Sequence, residues 1–266
     1  MIARRHALGG IAAMTISSLL PEAALTAASG RAPAQLWDAL LAKYVVTGAD
    51  GLNRVRYGAW KANAGDMAAL DQVVQGFAGI KVSALPRPEQ FCLWANLYNA
   101  LTLQVVLARY PVSSIREIKP NPLAMGPWKV KRVQVEGKSL SLDDIEHGIL
   151  RKQWREPRVH YAVNCASVGC PNLGRRGWHS QSLDGDLTAA AKAFINSPRG
   201  VAIVGAQRVR VSSIYQWFKE DFGKSDAGIL AHLKLYAAPT LAAQLQNARI
   251  VGHDYDWSIN AAQAPA

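Results

Sequence analysis

The chain has 266 residues, half of them hydrophobic and 18% charged, with a formal net charge of +11. This is ordinary globular composition, ample for one sizeable core or at most two small ones. Three cysteines are too few for a disulfide scaffold. The Lys and Arg residues are scattered rather than gathered in one block, which argues against nucleic acid as a partner.

Residues 1–30 have the three parts of an export signal. Arg4-Arg5 precede a mildly apolar stretch, Ala7 to Leu20, and Pro21 then opens a small-residue region, Ala23 to Gly30. As a helix the apolar stretch would rise only about 21 Å, short of a bilayer core of about 30 Å. The arginine pair fits a twin-arginine signal as well as an ordinary secretory one. Removing the first 32 residues takes away Arg4, Arg5, Arg31 and Glu22, leaving 27 basic against 18 acidic side chains, or +9. The expectation is a periplasmic or secreted body whose partner is an anionic envelope component or a small-molecule substrate. No later run approaches about 18 apolar residues, so no transmembrane segment is expected after cleavage.

Helical spacing of Leu36, Leu40, Leu41 and Tyr44 predicts a first helix over Gln35 to Val46. Asp66 is placed to cap a second, whose stripe is Met67, Leu70, Val73, Val74 and Phe77. A linker, Ile80 to Arg87, leads to the longest helix, Glu89 to Tyr110, stopped by Pro111. Its apolar residues cover most of its circumference, which predicts a buried central helix. Cys92, Asn96 and Asn99 share one face of it at i, i+4 and i+7. Trp128 to Val135 and Lys138 to Leu142 read as a β-hairpin around Glu136-Gly137. Asp143 with Glu146 three residues on reads as a capping box opening a helix that ends before Pro157. Arg158 to Asn164 reads as a strand and Cys165 to Leu173 as a loop. Leu183 to Asn196 is helical, Val201 to Val204 and Arg208 to Val211 form another hairpin, and helices follow at Ile214–Phe222, Ala227–Tyr236 and Thr240–Asn247. Arg249 to Val251 is a last strand, and 261–266 a tail. Long helices first, with hairpins later and no βαβ alternation, predict a single α+β domain: a buried central helix, hairpins forming a mainly antiparallel sheet, and helices around it. Residues 33–85 are its N-terminal helical part and 86–260 its core.

Five blocks in the core resemble one family. Trp94-Ala95-Asn96-Leu97-Tyr98-Asn99-Ala100 is similar to the WxNxYNA signature of DUF547 domains. The Leu140 to Arg151 segment, LSLDDIEHGILR, resembles the same family. So do Arg158 to Ser167 with Cys170-Pro171 after it, Ser213-Ile214-Tyr215-Gln216-Trp217-Phe218, and Tyr255-Asp256-Trp257-Ser258-Ile259-Asn260. The resemblance runs from about Pro86 to Asn260. It implies that these blocks matter to the domain and carries no reaction with it.

Three constellations bear on chemistry. Cys165 lies where the expected strand breaks into a loop, five residues after His160 and beside Asn164. A thiol becomes a nucleophile when a base or positive charge favours its thiolate, and Asn164 or backbone N–H groups could hold an oxyanion. The same residues also suit a Cys165–Cys170 disulfide, and His160, Cys165, Cys170 and His179 are ligand types that zinc accepts, at spacings that fit no familiar zinc pattern. On the capped helix, His147 and Arg151 share a face. His147 or Glu146 is a candidate acid or base there, and Arg151 a candidate holder of an anionic group, against a plain capping role. Near the end, Asp256 is a candidate to orient a catalytic histidine, against a role in closing a sheet. Two readings follow. One is a thiol-dependent hydrolase or acyltransferase using Cys165 with His160 or His147, oriented by Asp256 or Glu146, on an envelope amide or ester. The other is a non-catalytic binding module with a polar pocket at Asn96, Tyr98 and Asn99. Neither calls for a cofactor or a metal.

Overall fold

The organising element is an apolar helix of 23 residues, Arg87–Arg109, set into the computed structural model that describes residues 32–262. The expected export signal falls on residues that lie outside those described. We number the elements along the chain: α1 (Pro33–Tyr44), β1 (Val45–Thr47), β2 (Asn53–Val55), α2 (Tyr57–Lys61), α3 (Ala64–Ala78) and the central α4 (Arg87–Arg109). After them come β3 (Val133–Val135), β4 (Lys138–Leu140), a π-helical turn (Asp144–Leu150) running into α5 (Arg151–Trp154), α6 (Val159–Ala162) and α7 (Leu183–Ile195). The chain continues through β5 (Val201–Gly205), β6 (Arg208–Ser212), α8 (Ser213–Trp217), α9 (Asp226–Tyr236), α10 (Pro239–Leu245) and β7 (Arg249–Asp254).

Helix α4 has the length and hydropathy of a membrane span, but 89% of that apolar window is buried inside the fold. It is a core helix. Leu97, Leu101 and Val106 are fully enclosed, and α1 and α3 pack their apolar stripes into the same core. A second apolar cluster gathers Phe194 of α7, Val209 and Val211 of β6, Tyr215 of α8, and Ile229 and Leu233 of α9. Tyr161 of α6 belongs to this second cluster, whereas its neighbours Val159 and Ala162 belong to the first. The short helix α6 therefore stitches the two cores together.

The α+β class holds, with hairpins smaller and more separate than expected. β1–β2 and β3–β4 are isolated antiparallel pairs, and the third sheet runs β5-β6-β7. In it β5 and β6 are antiparallel while β7 lies parallel to β6. The sequence pattern placed residues 45–46 at the end of a helix; instead Val45 begins β1, paired with Val55. Asn63 caps α3, accepting a bond from Asp66 N at 3.0 Å, so Asp66 sits in the first turn, where its carboxylate meets Lys43 and Tyr44. Ala261, expected in a loose tail, forms a bridge with Val55.

Two further departures shape the site. Arg158 to Asn164 is not a strand: with no neighbouring strand to pair with, Val159, His160 and Tyr161 send their N–H groups back to Glu156, Pro157 and Arg158 as a helical turn. The capping box also lies two residues earlier than the pattern suggested. Ser141 N donates to Asp144 Oδ2 at 2.6 Å and Asp144 N donates to Ser141 Oγ at 3.2 Å. Asp143 makes no cap bond, and Glu146 is released from capping.

Candidate active site

A cleft of about 750 Å³, counted out to its mouth, opens at the seam between the two cores. Tyr98 and Val163 line it from the first core, and Ile214, Phe218 and Tyr255 from the second. Its remaining wall is aromatic, with Trp128, Trp217 and Trp257. Its polar residues are Cys165, Cys170, His160, His147, Glu146 and Asp143.

The two sulfurs are placed by a loop clamped against the C-terminal segment. Val168 N donates to Ser258 O, Gly169 N to Asp256 O, and Asn260 N to Ala166 O, all within 2.9 Å. Gly169 is needed for that approach, because a Cβ there would meet Asp256 N at 2.8 Å and Asp256 O at 2.9 Å. Ala166, next to Cys165, is held at φ 63° in the left-handed region, a strained position for a side-chain-bearing residue. The Asn164 side chain stabilises this turn by accepting from Ala166 N at 2.8 Å. From behind, the Arg199 guanidinium bonds the carbonyls of Val168 and Cys170. It therefore both braces the loop and places positive charge beside Cys170.

Both thiols are free, with their sulfurs 2.8 Å apart against about 2.0 Å in a covalent bridge. Tyr255 Oη lies 3.0 Å from Cys170 Sγ and 3.1 Å from Cys165 Sγ, and Cys165 N donates to Cys170 Sγ at 3.1 Å. The donors converge on Cys170. Burial opposes charge on that sulfur, but the Cys165 thiol, the Tyr255 hydroxyl and backbone N–H groups outweigh it and hold Cys170 below the ordinary thiol pKa. Cys165 moves the opposite way, well above the ordinary value, through its bond to Cys170 and then through burial. Of the two thiols, Cys170 is therefore the one that gives up its proton more readily, and Cys165 the one that keeps it. The third cysteine, Cys92, is pushed up to about 12, mainly by burial, and is inert.

His160 lines the same cleft. Its Nε2 lies 2.7 Å from Asp221 Oδ2, and its ring stacks on Phe218 with centroids 4.2 Å apart. Burial works against a charged Asp221, yet bonds from His160 and from Arg151 Nε, at 2.6 Å, bring its pKa down to about 2. At neutral pH Asp221 is a carboxylate and only accepts, so Nε2 carries the hydrogen and Nδ1 carries none. Burial, the largest influence on the ring, holds His160 below the usual imidazole pKa, so it rests neutral.

The π-helical turn brings Glu146 and His147 to the same cleft, as such turns often do at functional sites. His147 is held loosely, with Asp143 Oδ1 at 3.9 Å, Glu146 Oε1 at 4.0 Å and an Arg151 nitrogen at 3.4 Å. Tyr98 is fully enclosed, and burial followed by the Glu146 charge holds its phenol well above its usual range.

Of the residues expected from sequence, the cleft thus gathers Cys165, His160, His147, Glu146 and Tyr98, with Arg151 at its edge on Asp221. The others are used elsewhere. Asn96 bonds both the N–H and the carbonyl of Trp178, at 2.8 and 2.9 Å. Asn99 donates to Ala162 O at 2.9 Å and accepts from Asn164 N at 2.8 Å. Asn164 Nδ2 donates to Pro171 O at 2.7 Å. Asn96 and Asn99 tie loops to α4, Asn164 closes its own loop, and none of the three is among the residues that line this cleft. Asp256 also stays out of it. Its carboxylate accepts from Ser258 N at 2.8 Å and orients no histidine; Asp221 does that work. His179 pairs with Asp38 at 2.9 Å and is not among the cleft residues. Sequence reasoning did not single out Asp221 or Tyr255, and it weighed Cys170 only as a disulfide partner or a metal ligand. Tyr255 and Cys170 lay inside the blocks that resemble the family, whereas nothing in spacing marked Asp221.

The bracing amides have a measurable weight. Asn99→Ala would leave Asn164 N buried without a partner, at about 1–3 kcal/mol, while Ala162 O would keep its bond from Trp178 Nε1 at 3.0 Å. Urea unfolding should show a loss in that range, with a displaced Cys165 loop.

A family model described as "Protein of unknown function, DUF547" matches residues 82–195. No curated protein and no solved structure matches the chain significantly. The matched span holds Cys165, Cys170, His160, Glu146 and His147, whereas Asp221, Tyr255 and the tryptophans at 217 and 257 follow it.

Proposed function

We propose that this chain, whose residues 82–195 match the DUF547 family model, is a thiol-dependent hydrolase or acyltransferase with Cys170 as the nucleophile. What carries the reading is that one cleft holds a sulfur supplied with three hydrogen-bond donors together with a histidine fixed by a carboxylate. The donors favour the thiolate, and the fixed tautomer leaves a nitrogen ready to take a proton.

The steps follow from these positions. Cys170 sulfur attacks the carbonyl of an ester or amide, and the carbonyl electron pair moves to oxygen. Collapse of the tetrahedral adduct expels the alcohol or amine, which takes its proton from the Cys165 thiol. A water, or an acceptor hydroxyl or amine, then attacks the thioester and gives a proton to His160 Nδ1. Cys170 leaves as thiolate, and the proton passes from His160 to the Cys165 sulfur, restoring the starting state. The aromatic walls favour an apolar or aromatic acyl group. With a body charge of +9, an anionic substrate from the cell envelope remains the favoured class.

A panel of p-nitrophenyl esters of increasing chain length tests this. The expected result is a p-nitrophenol burst of about one equivalent per chain, with mass spectrometry placing the acyl group on the peptide holding Cys170. Cys170→Ser should abolish the burst. An acyl group on any residue other than Cys170, or a full burst from Cys170→Ser, rejects the proposal.

A further inference from the structure

One surface feature has no part in the thiol chemistry and is independent of it. Leu123 is 93% exposed, the most of any large apolar side chain among the described residues, and Met125 is 65% exposed two positions on. Neither is there through slack packing. Asn121 folds the chain into a turn, accepting at its side chain from Leu123 N and at its carbonyl from Ala124 N, both at 3.1 Å. Gly126, at φ 155°, lets the Trp128 ring lie over it, where a Cβ would come within 2.1 Å of that ring. The turn and the covered glycine aim Leu123 and Met125 outward.

Charge within this segment has one sign, with Asp143 and Asp144 adjoining it at the start of the π-helical turn. Between residues 119 and 132 the basic residues are Lys119, Lys129, Lys131 and Arg132, all exposed, and there is no Asp or Glu. Lys131 alone of them is held by a carboxylate, Asp144, at 2.5 Å. Trp128 then connects the loop to the cleft mouth. Its ring meets Trp257 at 5.8 Å, and Trp257 meets Trp217, itself 48% exposed, at 5.5 Å.

We infer that the segment from Lys119 to Arg132 docks on an anionic lipid surface, with Leu123 and Met125 entering the headgroup–acyl boundary beside the mouth of the aromatic cleft. An apolar tip inside a basic flank, backed by tryptophans, is what such an interface favours: apolar side chains gain by leaving water, cations meet the headgroups, and indole rings sit between the two. A second copy of this chain fits the face poorly, because the same four cations would meet each other.

Flotation of the full chain with vesicles of phosphatidylglycerol and phosphatidylethanolamine, against vesicles of phosphatidylcholine alone, tests this. Binding is expected to the anionic vesicles only, and to weaken in high salt. Leu123→Ser/Met125→Ser should weaken it about tenfold or more, and Lys119→Glu/Lys129→Glu by a similar factor, with unchanged near-ultraviolet circular dichroism in both. Residues 1–31 are present in every variant, so any binding they contribute does not register as a difference. Equal binding to phosphatidylcholine, or a double variant that binds as the parent does, overturns the inference. So does a vesicle-free dimer in sedimentation that Leu123→Ser/Met125→Ser abolishes.

Discussion

Asp221→Asn is expected to leave the p-nitrophenol burst in place while slowing turnover by about 10²–10⁴, the usual contribution of a positioned general base. In the proposed mechanism acylation relies on the Cys170 thiolate and the Cys165 proton, neither of which touches Asp221. Deacylation in that scheme needs His160 with Nδ1 bare, and that tautomer is imposed by a carboxylate that can only accept from Nε2–H. An asparagine amide offers N–H groups as well as an oxygen, so it admits the opposite tautomer, and it leaves Arg151 Nε facing a neutral partner. Acyl-enzyme should therefore accumulate and be visible as an added mass on the intact chain. His160→Ala should show the same trapping. If Asp221→Asn turns over at the parent rate, His160 is not the base and another acceptor in the cleft, His147 or Glu146, takes its place.

Acid should destabilise the protein between about pH 6.5 and pH 4, before Asp221 is protonated. His232 is buried in the second core, Nε2 2.8 Å from the Tyr161 hydroxyl, and burial brings its pKa down to about 4. His160 is lowered as well, again mainly by burial. In both cases the folded state binds fewer protons than the unfolded chain, whose histidines titrate near 6.5. Their stabilising effect is complete above about pH 6.5 and is lost as pH falls through the lowered folded values. For His232 the shift corresponds to about 3 kcal/mol, a substantial share of a domain's typical stability. Asp221, near 2, retains its effect through this window and loses it only at lower pH. Urea unfolding at pH 7.5 and pH 4.5 gives the test. His232→Gln keeps an acceptor for Tyr161 but cannot titrate, so the stability difference between the two pH values should shrink by about 2.5 kcal/mol. An unchanged difference would show that His232 does not carry the acid sensitivity.

Where periodicity was strong, the sequence was readable. Helix α4 runs Arg87–Arg109 against an expected Glu89 to Tyr110, because a chain apolar on every side has few places to go but the core. The hairpin at Glu136-Gly137 also formed, although only its inner residues pair, with Val133 opposite Leu140. The misreadings have local causes. Val159 to Ala162 is short and apolar, and such a run looks alike as strand or helix; the absence of a pairing partner decided it. Two capping patterns overlap by two residues, Ser141 with Asp144 and Asp143 with Glu146, and only the bonds formed could choose between them. The site was half legible. Its sulfurs and histidines stood in recognisable blocks, but the bond from His160 to Asp221 spans 61 positions, and no local pattern encodes such a pairing.

The C-terminal segment has a practical consequence. Trimmed to the span matched by the family, the chain would keep its paired thiols but lose the phenol that bonds them, the acid that holds His160, and three aromatic walls. The sulfurs would face bulk solvent with their proton sharing disturbed. Recombinant fragments ending near residue 195 should be poor reporters of this protein's chemistry, and inactivity in one would say little about the whole. Expression that runs on through Ala262 keeps the last strand-like bridge to Val55 and, with it, the frame around the thiols.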